Sequence, residues 1–481
     1  MNLASLVNSH PGSRRALSDA AGWIDWSEVR RRAQAVSTAL AGKGIGPGDR
    51  VALSLPTSIE FVVGYLGALA AGAVVAPLNP SSPSSEKEPQ TAFIEPSLTI
   101  TAGYVAEAVA AASAEASSGA GADSLAIVER SDDDPAVMLF TSGTSASAHV
   151  AVLSHGNLTS NLRQMLAVPG TLLAAEDVGL AAVPFFHVFG LNVVLGLTLA
   201  TGAGLVCEER FDPAEALGFV ETSGVTVVAG APPMFADWVD LTSSDGTAFA
   251  NVRLLVSGAS ALGVETAERF KAKFGLPIHE GYGLTEASPV VSTSVGLEFP
   301  TPGSVGRPLP GIDMRLVDES GEDALFDDPG EIWVRGPNVF SGYWRDEEAT
   351  ARVLDSDEWL HTGDVGVLDD AGELHVVDRL KDIIIVSGFN VIPAEVERVV
   401  RAIDGVNDVV VIGRDAPRTG ETVEAVVVAD PGSHLTESDV IEAARAHLAH
   451  YKVPETVRFV GSLPHGLAGK ALRRGAREAA N

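Results

Sequence analysis

The sequence predicts an α/β chain of more than one domain. A large N-terminal part comes first, then a β-rich stretch, then a small α+β region at the C-terminus. Three observations predict this. Short apolar runs alternate with helically spaced apolar residues over roughly the first 300 positions, the pattern of layered α/β structure. From Gly303 the texture changes to short alternating strands between Gly and Pro turns. The last hundred or so residues return to helix and strand in a unit of their own, and 481 residues suffice for a large core.

The elements follow in order. Residues 26–40 (WSEVRRRAQAVSTAL) carry apolar side chains at helical spacing, GKGIGPGDR predicts a turn, and VALSLP a short buried strand. Residues 61–78 are apolar enough to raise the question of a membrane span. Gly64, Gly67, Gly72 and Pro77 break the run, which predicts a buried helix feeding a buried strand. Residues 104–122 are rich in Ala, Ser and Gly and predict a loose helix and a surface connection. The run AVMLF (136–140) predicts a buried strand, followed by the small, hydroxyl-rich stretch TSGTSASAHVA (141–151) and then AVLSHGNLTSNL, a strand end and a helix start. Strand, small-residue loop and helix together suit a phosphate, because backbone N–H groups and hydroxyls can surround it. An ordinary surface turn has the same composition.

Further on, VTVVAGAPPMF, VRLLVSGAS and LPIHEGYGLTEASPVV each pair a strand with a turn of small or polar residues. Such turns gather at one edge of a parallel sheet, where α/β folds bind ligands. His187 sits among aromatic and aliphatic residues, a setting common to core histidines. In the last region PAEVERVVRAI and ESDVIEAARAHLAHYKVP predict helices, and VNDVVVIG and ETVEAVVVAD predict strands.

Composition narrows the function. The formal net charge is −30, which argues against nucleic acid and anionic membranes as partners but not against a nucleotide that brings its own Mg²⁺. The one cysteine, Cys207, lies in an apolar run and predicts a buried structural thiol. The first residues, MNLASLVNSHPGSRR, lack the apolar core of a signal peptide, so a cytoplasmic protein is expected.

The chain resembles the adenylate-forming superfamily, which includes acyl-CoA synthetases, aryl-CoA ligases and peptide-synthetase adenylation domains. The resemblance rests on GIGPGDRVAL at 44–53, GYGLTE at 281–286, HTGD at 361–364, DRLKDIIIVSGFNVIPAEVE at 378–397 and GK at 469–470, all in family order. It implies an α/β multidomain fold: an N-terminal domain, residues 1–380, of stacked α/β subdomains with a β-barrel-like subdomain over 303–380. A small mobile α+β domain, 382–481, would follow a hinge near Lys381. It also implies an enzyme that joins a carboxylic acid to coenzyme A through an acyl-adenylate, using ATP and Mg²⁺. The alternatives are an adenylation enzyme that loads a separate carrier protein, and a weakly active or non-catalytic nucleotide binder.

The resemblance carries roles to individual positions. Glu286 would hold Mg²⁺, and Thr285 would bond the α-phosphate. Tyr282 would stack on adenine, with Gly281 and Gly283 admitting the nucleotide. Gly258 and Ala259 would border the same site. Thr141, Ser142, Gly143, Thr144 and Ser145 would cradle phosphate. Asp364 would accept from the ribose hydroxyls, and Arg379 would supply a second contact. Lys470 would stabilise the carboxylate attacking the α-phosphorus. Gly388 would line the thiol channel, and His187 would gate the acyl pocket.

The chain departs from the family at the phosphate loop. Ala146 and Val150 stand where glycines are usual, Ala148 where proline is, and His149 where a lysine is. Histidine brings less positive charge than lysine at neutral pH. Ala468 replaces the usual serine before the Gly469–Lys470 pair. The expected acyl pocket, Phe189, Val193, Gly258, Pro289 and Val290, is apolar, and Glu280 rather than arginine precedes GYGLTE. These residues suit a short- or medium-chain fatty acid or an aryl acid, and disfavour a dicarboxylate.

Overall fold

The computed structural model describes residues 1–115, 124–141, 149–170, 172–242, 246–297, 300–318, 320–325, 328–386, 389–416 and 420–463. The chain divides into two compact units: residues 1–313 with 334–360, and residues 314–333 with 361–481.

The first unit is built on two sheets. In the smaller, four parallel strands run in the order Leu98–Ile100, Arg50–Ser54, Val74–Leu78, Pro135–Phe140, and Val150–Ser154 closes the edge antiparallel. The helix Ile59–Ala70 serves this layer and is apolar on every side, so it is buried all round. Ser58 starts it by accepting from the Phe61 amide. With only twelve residues before the chain turns into Val74–Leu78, it belongs to the core; among the described residues no helix is long and apolar enough to cross a membrane. The partner helix Trp26–Gly42 lies close against it, because Gly67 presents no side chain. A Cβ there would stand 2.6 Å from Val36 Cβ and 2.9 Å from the Ala33 carbonyl oxygen.

The larger sheet has nine strands. Six are parallel, in the spatial order His279–Gly283, Leu254–Ser257, Val227–Gly230, Val178–Ala181, Gly204–Cys207, Arg15–Asp19. Val178–Ala181 is followed in sequence by the neighbour on one side and then by the neighbour on the other. This reversal is a topological switch point, and it opens a crevice at the carboxyl ends of the strands. Cys207 is buried in this sheet, and burial, aided by the Asp19 and Glu60 charges, pushes its thiol pKa far up. It is a structural thiol.

In the second unit a four-stranded sheet runs in chain order through Asp313–Val317, Gly330–Arg335, Leu360–Leu368 and Leu374–Arg379. Residue 313 of its first strand, 334–335 of its second and 360 of its third group with the first unit. A second sheet pairs Ile384–Val386, Phe389–Val391, Val406–Ala416, Gly420–Ala429 and Thr456–Phe459. The helix Pro393–Arg401 covers it, burying Val396 and Val400 against Val409, Val411 and Val427. This is the α+β texture expected for the C-terminal region.

One buried acid stands out. Glu208, directly after the strand Gly204–Cys207, is 4% exposed; one oxygen accepts from the Asp212 amide, and Oε2 has no hydrogen-bond partner among the described residues. Burial, with the Glu215 and Asp212 charges adding to it, raises its pKa from 4.5 to about 7. Between those values the folded chain holds a proton that the unfolded chain has released, so stability falls as pH rises across that window.

Two outcomes follow. Glu208→Gln removes this slope and raises stability above about pH 7 by roughly 2–3 kcal/mol, seen as a parent-minus-variant difference in thermal melts from about pH 5 to about pH 8. Gly67→Ala forces the two helices apart and costs about 1–3 kcal/mol, measured by urea unfolding.

Candidate active site

The three strand–turn segments end side by side. Gly230, Ser257 and Gly283 close neighbouring parallel strands, so Gly258, Ala259 and the Thr285–Glu286 turn stand along one carboxyl edge. Ala259 adopts φ 72°, a left-handed conformation that costs a residue with a Cβ about 1 kcal/mol and is held by its surroundings. Gly283 is required by close approach: a Cβ there would lie 2.0 Å from the Pro289 carbonyl oxygen. Tyr282 pairs with Ser292 and is part-buried, as is Glu286.

The stretch 284–290 has little ladder of its own and is held by buried amides. Asn161 clamps Val290 from both sides, its Nδ2 donating to the carbonyl at 2.8 Å and its Oδ1 accepting from the amide at 3.1 Å. Asn192 Nδ2 donates to the Ser288 carbonyl at 2.7 Å, and Asn338 Nδ2 to the Ala287 carbonyl at 2.8 Å. The Phe340 amide donates to the Glu286 carbonyl at 2.8 Å, and the Tyr343 hydroxyl donates to Glu286 Oε1 at 2.6 Å. Asn161, Asn192, Asn338, Phe340 and Tyr343 were not among the residues singled out from sequence. Their signal is weak there, since asparagines inside helices and loops carry no fixed spacing to the turn they hold.

The hydroxyl-rich loop differs from the strand–loop–helix form. Its base is a hairpin: Phe140 pairs with Val150, and the Thr141 amide donates to the His149 carbonyl at 2.9 Å. The strand Val150–Ser154 intervenes before the helix His155–Leu166, whose N-terminus is capped by Ser154 and Asn157. The helix therefore starts at the far end of that strand from His149. Ser142, Gly143, Thr144 and Ser145, with Ala146 and Ala148, lie outside the described residues. The His149 ring lies 4.9 Å from Tyr343, and its Nδ1 is 3.0 Å from Asp346 Oδ2.

Beside the strand end, the Phe189 ring covers Gly258, where a Cβ would stand 3.1 Å from the ring. Phe189 opens a π-helical segment, Phe189–Gly196. Between that segment and the sheet lies a cavity of about 30 Å³, with Val193 and Val194 on one side and Val227, Ala229 and Val256 on the other. His187 is no core residue, being exposed, although enough protein surrounds it to lower its pKa through desolvation. Its Nδ1 accepts from the Phe189 amide at 3.3 Å.

In the second unit Asp364 and Arg379 face each other across paired strands, and Arg379 Nε lies 3.2 Å from Asp364 Oδ1. Asp364 is 8% exposed. The turn before it is fixed by Glu331, which accepts from the Gly363 amide at 3.0 Å, and by Thr362, whose hydroxyl donates to the Ile332 carbonyl at 2.7 Å. Lys381 falls in a short 3₁₀ turn, Leu380–Asp382; its side chain, Gly388 and Lys470 lie outside the described residues.

A Mg²⁺ ion fits the donor set at Glu286. Among the described residues there is no cluster of three or more His, Cys, Asp and Glu to form an all-protein cage. Glu286 offers a part-buried carboxylate, and a single carboxylate suits a metal that takes its other oxygens from phosphate and water.

Comparison with known proteins gives the family. The profile of AMP-binding enzymes matches residues 4–344, and the profile of the AMP-binding enzyme C-terminal domain matches 395–470. A feruloyl-CoA synthase from an Amycolatopsis species is 36% identical, with 94% of this chain and 92% of that protein covered. A rice 4-coumarate–CoA ligase is 32% identical, over 94% of this chain and 89% of its own. Among solved structures, ATP-bound MatB from Rhodopseudomonas palustris superposes with a TM-score of 0.90 at 32% identity, covering 99% of this chain and 98% of that one. The chain belongs to the AMP-binding enzymes, in the CoA-ligase branch of the adenylate-forming superfamily.

Proposed function

We propose that this AMP-forming ligase activates a monocarboxylic acid with a compact apolar tail and transfers it to coenzyme A. One observation carries the substrate class. The residues expected around the acid, Phe189 over Gly258 with Val193, Pro289 and Val290, are all apolar. A second carboxylate would lose its hydration there without gaining a cation. The feruloyl and coumaroyl ligases among the relatives favour aryl acids alongside short fatty acids.

The chemistry runs in two displacements. A carboxylate oxygen attacks the α-phosphorus, and the bond to pyrophosphate breaks. The thiol of coenzyme A then attacks the acyl carbonyl, its proton passes to solvent, and AMP leaves. Thr285 bonds the α-phosphate, Tyr282 receives adenine between Gly281 and Gly283, and Gly258 and Ala259 leave room at the strand end. Glu286 holds Mg²⁺, which when bound neutralises phosphate charge. Thr141 and the loop Ser142–Gly143–Thr144–Ser145 contact phosphate. Asp364 accepts from the ribose hydroxyls, with Arg379 beside it. Lys470 stabilises the attacking carboxylate. We further read 1–380 and 382–481 as the two working domains, with Lys381 at the hinge and Gly388 along the thiol path. His187, its pKa lowered, offers a neutral imidazole at the mouth of the acyl pocket.

A panel of acids tests the substrate class. Apolar monocarboxylates drive ATP–pyrophosphate exchange, and coenzyme A converts that exchange into equal amounts of acyl-CoA and AMP. Exchange driven best by a dicarboxylate such as malonate overturns the assignment. The altered loop has its own test. Asp346 pairs with His149 and would neutralise a lysine placed there, whereas asparagine at 346 caps the following helix equally well. Measured in EDTA, where no metal bridges to Glu286, the double substitution His149→Lys with Asp346→Asn therefore tightens ATP binding about fivefold, near the ~1 kcal/mol of a partly exposed charge pair, by calorimetry.

A further inference from the structure

Glu286 is held at both ends by one segment. Its carbonyl accepts from the Phe340 amide, and its carboxylate accepts from the Tyr343 hydroxyl at 2.6 Å, a short charge-assisted bond. The segment itself is stitched down. The Val152 amide donates to the Gly342 carbonyl at 3.1 Å, and the Trp344 amide donates to the Val150 carbonyl at 2.8 Å. The Tyr343 amide donates to the Thr350 hydroxyl at 2.9 Å. The phenol ring is walled by Phe340, edge-on at 4.9 Å, and by His149 at 4.9 Å and 31°. His149 is fixed in turn by Asp346, which accepts from the Ala349 amide at 2.9 Å as the cap of the helix Glu347–Val353.

We propose that Tyr343 is a positioning residue that sets the orientation of the Glu286 carboxylate for Mg²⁺, with Phe340 and His149 fixing the phenol. The inference rests on the reading of Glu286 as the metal ligand. A carboxylate that must meet a small octahedral ion gains from having one oxygen already committed, because fewer torsions remain to be frozen when the metal arrives. Outer partners of this kind orient the ligand and tune its affinity. The arrangement also accounts for the histidine at position 149. An imidazole offers a flat face to Tyr343, which a lysine side chain lacks, and reaches Asp346 at the same time.

The test uses the full-length enzyme with ATP and no carboxylic acid, so that nothing turns over. Calorimetry gives the ATP dissociation constant in EDTA and in saturating Mg²⁺, and the ratio of the two is the readout. Tyr343→Phe keeps the ring and its walls; it is expected to leave the EDTA value and the melting temperature near the parent's while cutting the Mg²⁺-dependent tightening about tenfold or more. Glu286→Gln is expected to remove that tightening. If Glu286→Gln removes it and Tyr343→Phe keeps it whole, the positioning role is wrong and the metal assignment stands. If neither variant changes the ratio, Glu286 is not the metal ligand and the inference falls with it.

Discussion

The turn that carries Thr285 and Glu286 is held by side-chain amides and by one overlying segment. Asn161, Asn192 and Asn338 are each almost fully buried, and each spends its donor on a carbonyl of residues 287–290. A backbone that crosses the end of a sheet has orphan groups, and burial makes each one costly. Supplying them from three separate elements fixes the turn in three directions at once. The helix His155–Leu166, the π-helical segment Phe189–Gly196 and the segment near 338 all position the same few atoms. Much of the first unit is therefore packed in service of one short piece of chain.

The strength of that arrangement explains which features were legible in the sequence. Periodicity made the layers visible. The helix Trp26–Gly42, the buried helix Ile59–Ala70 and the parallel strands ending at Gly230, Ser257 and Gly283 all follow from apolar spacing. The grouping of their turns at one edge follows from the parallel topology. The strand end and helix start in AVLSHGNLTSNL are there as Val150–Ser154 and His155–Leu166; what periodicity could not show is that this strand runs back antiparallel beside Pro135–Phe140. The exposure of His187 was hidden for a similar reason, since aromatic neighbours in sequence need not be neighbours in space.

The positions carried over by resemblance divide along the same line. Asp364 and Arg379 prove to be cross-strand partners, a relation that two residues fifteen apart cannot announce on their own. The departures at 146–150 looked like simple losses when set against the family pattern. In the structure His149 has work of its own, between the Tyr343 ring and the Asp346 carboxylate. A substitution that seems to subtract a charge can thus belong to a different set of contacts, visible only when distant segments are brought together.

The contact between Phe189 and Gly258 ties together two positions far apart in the chain. A methyl group on the opposite residue would stand 3.1 Å from the ring, so the ring would have to shift to admit it. The two positions act as a single dial. A bulkier residue after the strand demands a smaller one on the helical segment. Side-chain size at the two positions is therefore coupled, and a change in volume on one element calls for the opposite change on the other.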